Sequence, residues 1–226
     1  MGFCACHLIA DVDEFVTLPV ALDDLIAGAN ADGRRVIPGV LHDRIGNGGA
    51  ILDWDGSVSL DERYPLGGFL THALLHGDPP KIVFAKPDAD VAHGNHWSFT
   101  EDEVPRVVLT VNHFKWRDGI DRELRRRVAE FDAGNWVGCT DAVRDEAARF
   151  VGHLDENSGC VDLNLRGAMF APSTVDKVRT DWQSTGVRVK QMWDDFFRNR
   201  SKDMELQAGY PMDSLPLSGD AAQGIA

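Results

Sequence analysis

The chain has 226 residues and a formal charge of −13 at neutral pH, from 36 acidic against 23 basic side chains. That balance argues against a broad basic surface for nucleic acid or anionic lipid, because phosphate contacts need clustered Lys and Arg. Hydrophobic residues at 43% and charged residues at 26% make an ordinary folding composition, and the length suits one domain plus an extension.

Residues 3–10 form a nearly continuous apolar run, which predicts a strand buried on both faces and ending at Asp11. Cys4 and Cys6 would share one face of that strand beside His7, as buried cysteines or as part of a zinc site. With Cys139 and Cys160 they show no CxxC pair, so reduced thiols are expected. The N-terminus lacks the basic and apolar regions of a secretory signal, and no apolar stretch reaches membrane-spanning length. A cytoplasmic protein without a membrane span is the expectation.

After Pro19, the spacing of Val20, Leu22, Leu25 and Ile26 predicts a short helix closed by Gly28 and a turn over residues 30–33. A second strand is expected over 35–41. Residues 42–65, with Gly46, Asn47, Gly48 and Gly49 in sequence, read as a long surface loop. Strands follow over 81–85 and 107–111, separated by a loop containing Gly94, Asn95 and His96. Helical periodicity then covers 121–131, 141–153 and 173–200, the last with Ser173 as N-cap. The basic run Arg122, Arg125, Arg126, Arg127 lies beside Asp121 and Glu123 and reads as a solvated helix face. A disordered tail is expected over 209–226.

The sharpest local signal is Leu8-Ile9-Ala10-Asp11-Val12-Asp13-Glu14-Phe15, an apolar run delivering carboxylates at its end. Such acids end a strand and open a turn, or they hold a hard cation that bridges protein to phosphate. The motif alone does not choose between these.

Its context does carry information. Leu8 to Phe15 resembles the DxDEF signature of family-2-like glycosyltransferases with the GT-A fold. Lys81-Ile82-Val83-Phe84-Ala85-Lys86-Pro87 followed by Gly94-Asn95-His96 resembles that family's strand and GNH element. Val111-Asn112-His113-Phe114-Lys115-Trp116-Arg117 resembles its HF-x-x-R element. The resemblance departs at Lys86, where the family tends to have Arg, and at Arg127, where it has Lys.

The resemblance implies an α/β fold: a partial GT-A-like, doubly wound and mostly parallel sheet with a helical C-terminal extension. The implied division is a catalytic half over 1–134, a helical extension over 135–208 and the tail over 209–226. The implied activity is metal-dependent transfer of a sugar from a nucleotide-sugar donor to an unspecified acceptor. Asp11, Asp13 and His113 would hold Mn²⁺ or Mg²⁺ on the donor diphosphate, the imidazole favouring Mn²⁺. His96 and Arg117 would contact the donor, Glu14 and Asn95 would support the site, and Asp11, Asp13 and His113 should converge.

In that family the nucleoside-binding half precedes the acidic motif, and here ten residues precede Asp11. The resemblance therefore implies an N-terminally truncated domain, with a non-catalytic remnant or one subunit of a split enzyme as the alternative. A second copy or a partner chain would then cover the incomplete sheet. A haloacid-dehalogenase-like phosphatase is a further alternative, since that family also opens with a strand ending in two aspartates. An inverting transferase needs a carboxylate base, for which Asp53, Asp55, Asp61, Glu62, Asp141, Asp145 and Glu146 are all candidates.

Overall fold

The apolar runs become strands of one sheet: β1 (His7–Leu8), β2 (Glu14–Thr17), β3 (Val36–Ile45), β4 (Leu66–Gly68), β5 (Pro80–Ala85), β6 (Leu109–His113) and β7 (Ala171–Pro172). The helices are α1 (Leu22–Ala31), α2 (Leu60–Arg63), α3 (Leu70–Ala73), α4 (Ile120–Asp132) and α5 (Asp141–Glu156). These come from a computed structural model that describes residues 6–92, 94–98, 107–136, 140–174, 191, 193 and 194.

β3 is the spine. It pairs antiparallel with β5 over Val36–Val40 and with β4 over Asp43–Ile45, while β6 runs parallel to it over Gly39–Asp43. At Gly39 and Val40 both β5 and β6 are hydrogen-bonded to β3, and at Asp43 both β4 and β6 are. So β5 and β4 share one side of the spine in succession, and β6 takes the other. All ten residues of β3 are buried. Pro38 is tolerated at mid-strand because the ladder to β5 is irregular between Ile37 and Pro38. Gly39 is required by close approach, since a Cβ there would stand 2.7 Å from Val111 Cγ2 and 2.8 Å from Val83 Cγ2.

β1 extends the sheet beyond β5, and β2 extends it beyond β6. These two outer strands are consecutive in the chain and are joined by a turn in which Glu14 N donates to Asp11 O at 3.0 Å. So short a link between opposite edges forces the sheet to curl until the edges approach each other. α1 packs Leu25 onto Ile37, Leu41, Val83, Leu109 and Val111. α4 and α5 enclose a second cluster in which Leu124, Ala147 and Phe150 meet Ile45, Leu70 and Trp116, with Trp116 stacked on Phe150 at 4.5 Å. Residues on either side of position 134 thus share one apolar cluster.

The α/β class stands, but the sheet is mixed: among the described residues only the β3–β6 ladder is parallel. A parallel pair needs a long crossover, and the chain supplies one between β3 and β6. β1 is an exposed edge strand, not one buried on both faces, because it pairs on one side with β5. α1 runs through Gly28 to Ala31, and the turn follows at Gly33, whose φ is +71°. The expected surface loop over 42–65 loses His42, Asp43, Arg44 and Ile45 to the buried spine. α2 closes that region with a reciprocal cap between Ser59 and Glu62. Ser173 is buried, Trp193 packs with Val40, Phe69 and Val108, and the rest of the last expected helix and the tail over 209–226 lie outside the described residues. Cys6 and Cys160 are free thiols, whereas Cys4 and Cys139 lie outside the described residues. No helix among the described residues is long and apolar enough to cross a membrane.

Arg44 ties this architecture together from the inside. Its fully buried guanidinium donates to Tyr64 O at 2.8 Å, Asn112 Oδ1 at 3.0 Å, Asp61 Oδ1 at 2.8 Å and Ser173 O at 2.7 Å, joining β3, β6, α2 and the segment after β7. Arg44→Met keeps the volume and strips these acceptors of their donor, which should cost about 3 kcal/mol or more. Urea unfolding of the two proteins at pH 7 measures it.

Candidate functional site

The acidic turn is placed by the two strands it joins. β1 registers His7 with Ala85 and Leu8 with Phe84, and Ile9 N donates to Val83 O at 2.8 Å, so Asp11 arrives beside Lys81. β2 starts with Glu14 opposite His113, and Asp13 O accepts from Phe114 N at 2.8 Å. The turn is therefore pinned to β5 at one end and to β6 at the other.

Lys81 occupies the middle. Its Nζ lies 3.0 Å from Asp11 Oδ2, 2.9 Å from Glu14 Oε1 and 3.4 Å from Gly94 O. Glu14 Oε2 accepts from Asp11 N at 3.1 Å, so both of its oxygens are used. The Glu14 side chain is 4% exposed and that of Asp11 60%, so Glu14 is the inner partner and Asp11 opens to solvent. Burial alone would depress the Lys81 ammonium, but its bonds to Glu14 and Asp11 outweigh that and raise its pKa. The Lys81 bond is the chief cause holding Asp11 below the usual carboxylate range, and the charge of His113 acts in the same direction.

His113 is oriented from behind. Its Nδ1 lies 2.8 Å from Asp43 Oδ1, which also accepts from Trp116 Nε1 at 2.7 Å and Thr71 Oγ1 at 2.8 Å, while Asp43 Oδ2 accepts from Thr71 N at 2.7 Å. Asp43 is fully buried. Burial would raise its pKa, but the hydrogen bonds and the charge of His113 overcome it and hold Asp43 below its ordinary value. An ionised Asp43 fixes a proton on Nδ1, so that in the neutral form of the ring Nε2 is the acceptor or ligand atom.

His96 donates Nδ1–H to Pro80 O at 2.8 Å, and burial pushes its pKa down, so its Nε2 is also an acceptor. The charges of Lys81 and Glu14 act on it, which puts His96 on the same rim. Asn95 contributes through its backbone: it takes a left-handed φ of 59°, and its carbonyl accepts from Ile82 N at 2.6 Å, fastening the loop to β5. Arg117 is exposed, its backbone bridges to Leu52, and no contact among the described residues carries it to the acidic turn.

The structure thus pins the turn carrying Asp11 and Glu14 beside His113, with Asp13 joined through its backbone carbonyl, and it gives Lys81, Asp43, Thr71 and Trp116 contacts to these residues that the sequence reading did not assign. The signal for Asp43 was present in the apolar run of 36–41, which continues past His42-Asp43-Arg44 to Ile45. Among the described residues no group of three His, Cys, Asp or Glu side chains is set to hold a metal. Mg²⁺ and Mn²⁺ characteristically take one or two protein donors and complete their shell with water and substrate phosphate. The expected ligand set of Asp11, Asp13 and His113 is not such a group, and one oxygen of Asp11 is engaged by Lys81 at 3.0 Å.

In comparisons with family models, curated proteins and solved structures, nothing matches this chain.

The Asp43 hub makes a prediction of its own. Asp43→Asn keeps the shape but offers one acceptor oxygen to four donors, which should cost about 2–4 kcal/mol by urea unfolding at pH 7. Because the folded pKa of Asp43 is depressed, its contribution is present above the ordinary aspartate pKa of about 4 and is lost as pH falls below it. The stability difference between wild type and variant should therefore shrink as unfolding is repeated from pH 5 towards pH 2.

Proposed function

We propose that this chain carries the donor-diphosphate site of a metal-dependent glycosyltransferase that moves a sugar from a nucleotide-sugar donor to an acceptor. The observation that carries the reading is the convergence of the acidic turn with His113, whose Nδ1 is held by Asp43 and whose Nε2 is left open. The acidic motif and the motif of His113, far apart in the chain, thus meet at one rim.

In this reading Asp11, Asp13 and His113 hold a divalent cation, Mn²⁺ or Mg²⁺, which when bound supplies Lewis-acid neutralisation of the charge that builds on the departing diphosphate. Asp43 keeps His113 in one tautomer, so no reorganisation is needed when ligand arrives. Lys81 keeps the carboxylates of Asp11 and Glu14 from repelling one another and would add a fixed positive charge beside the phosphates. The burial of His96 keeps its ring neutral, fit to hydrogen-bond the donor through Nε2. The phosphatase alternative receives less support. Its aspartate nucleophile would follow an exposed antiparallel edge strand, with one oxygen engaged by Lys81.

The test is thermal unfolding with and without Mn²⁺ across UDP-glucose, UDP-N-acetylglucosamine and GDP-mannose. A donor that binds the folded state at a hundred times its Kd should stabilise by about 2.7 kcal/mol and raise the transition by several degrees. The shift should require both metal and nucleotide sugar and should vanish in Asp13→Ala. A transition that no donor moves would sink the reading and favour a non-catalytic subunit.

A further inference from the structure

The resemblance calls for carboxylates open to a cation, yet among the described residues no group of three ligands stands ready at the acidic turn. The cause is Lys81, whose ammonium already neutralises the turn from inside the protein. Its side chain is 9% exposed, and its three N–H groups meet three acceptors: Glu14 Oε1 at 2.9 Å, Asp11 Oδ2 at 3.0 Å and Gly94 O at 3.4 Å. An ammonium bonded in this way has no donor left for an incoming ligand. An anion reaches Lys81 only by replacing one of the three.

Two of these acceptors cannot leave. The Glu14 side chain is 4% exposed, so releasing it would strand a buried charge. Gly94 O belongs to a loop fastened to β5 on its far side, through Asn95 O to Ile82 N at 2.6 Å and through His96 Nδ1 to Pro80 O at 2.8 Å. Asp11 differs from both. Its side chain is 60% exposed, which puts it on the side from which a ligand arrives, and water can solvate its charge once it is released. Its backbone is held independently of that side chain, since Asp11 N donates to Glu14 Oε2 at 3.1 Å and Asp11 O accepts from Glu14 N at 3.0 Å. The carboxylate can therefore turn away from Lys81 while the turn keeps its shape.

Resting on the donor-site reading above, we propose that Lys81 binds the diphosphate by exchange: a phosphate oxygen takes the place of Asp11 Oδ2 on the ammonium, and the released Asp11 carboxylate becomes open to a cation. A cation without diphosphate is refused, because it would take Asp11 from Lys81 and return no acceptor. Diphosphate and cation therefore bind together, each raising the affinity for the other by the same factor. The absence of a preformed ligand group in the resting turn is then part of how the site works. A lysine that merely supported the turn would weaken both ligands when removed. An exchanging lysine acts in opposite directions on the two, since its loss frees Asp11 for the cation and deprives the phosphate of a charged donor.

The experiment titrates Mn²⁺ alone into wild type and Lys81→Met, reading the free ion by its electron paramagnetic resonance signal, and then titrates UDP and GDP by calorimetry with Mn²⁺ present. Lys81→Met should bind Mn²⁺ alone about tenfold more tightly than wild type or better, and should bind the preferred nucleotide about tenfold more weakly or worse. The pair Lys81→Met with Glu14→Gln leaves no buried charge stranded and keeps an acceptor for Asp11 N, so it should show the same opposed shifts where the single variant fails to fold. In wild type, Mn²⁺ alone should leave the melting temperature unchanged. A wild-type shift with Mn²⁺ alone, or variants whose two affinities move in the same direction or stay where they were, overturns the exchange and leaves the donor site standing. Wild type that binds neither nucleotide in the presence of Mn²⁺ overturns the donor site and the exchange with it.

Discussion

A carboxylate that no water can reach must collect its hydrogen bonds from the protein, and Asp43 at the centre of the spine imposes that condition on everything around it. Its donors come from α3 through Thr71, from β6 through His113 and from the following segment through Trp116. Each of those elements has one position in which the bond is made. Such a hub is weak evidence for net stability, since well-packed apolar residues often replace a buried charged pair at no cost. Its value is specificity: one arrangement of β3, α3 and β6 satisfies Asp43, and displaced arrangements leave a charge unpaired. The next residue repeats the logic on the opposite face, because successive side chains of a strand alternate and Arg44 gathers Asn112, Asp61, Tyr64 O and Ser173 O there.

The curled sheet follows from the short link between its edges, and the chemistry of that link follows from what the curl concentrates. Asp11, Asp13 and Glu14 crowd one turn in a chain that is already strongly acidic. Glu14 is nearly excluded from water, so its charge needs a partner close by, and Lys81 is delivered by the strand that β1 pairs with. One ammonium thus satisfies a buried and an exposed carboxylate together. Only one oxygen of Asp11 is engaged by Lys81, and the side chain stays open to solvent.

Much of this was legible from hydrophobic pattern. The helices α4 and α5, the strands β5 and β6 and the acidic turn all fall within a few residues of where periodicity and turn chemistry place them. Part of what failed did so because polarity was taken as a sign of exposure. His42, Asp43 and Arg44 look like the end of a strand, yet they are its buried middle, since hydrogen bonding and not apolarity solvates them. Conversely the apolar run at the N-terminus read as doubly buried, whereas Leu8 is 61% exposed at the sheet edge. Strand direction was equally hidden, because pairing partners are set by tertiary contacts that period and composition do not encode. Of the site, Asp11, Asp13, Glu14, His96 and His113 were readable as motif residues; Asp43 and Lys81 were not, because their roles exist only through what they touch.

Trp116 links the Asp43 hub to the helical layer. Its indole N–H rests on the same Asp43 oxygen that holds His113, its ring meets the His113 ring edge-on at 6.0 Å, and its face stacks on Phe150 of α5. A shift of α5 would break the stack, move Trp116 and loosen the bond that fixes the His113 tautomer. The Asp43–His113 pair and α5 are therefore held in register by a single side chain, which explains why a tryptophan is buried where a smaller apolar residue would fill the same cluster. Because large aromatic cores do not deform continuously, that register is kept or lost as a unit.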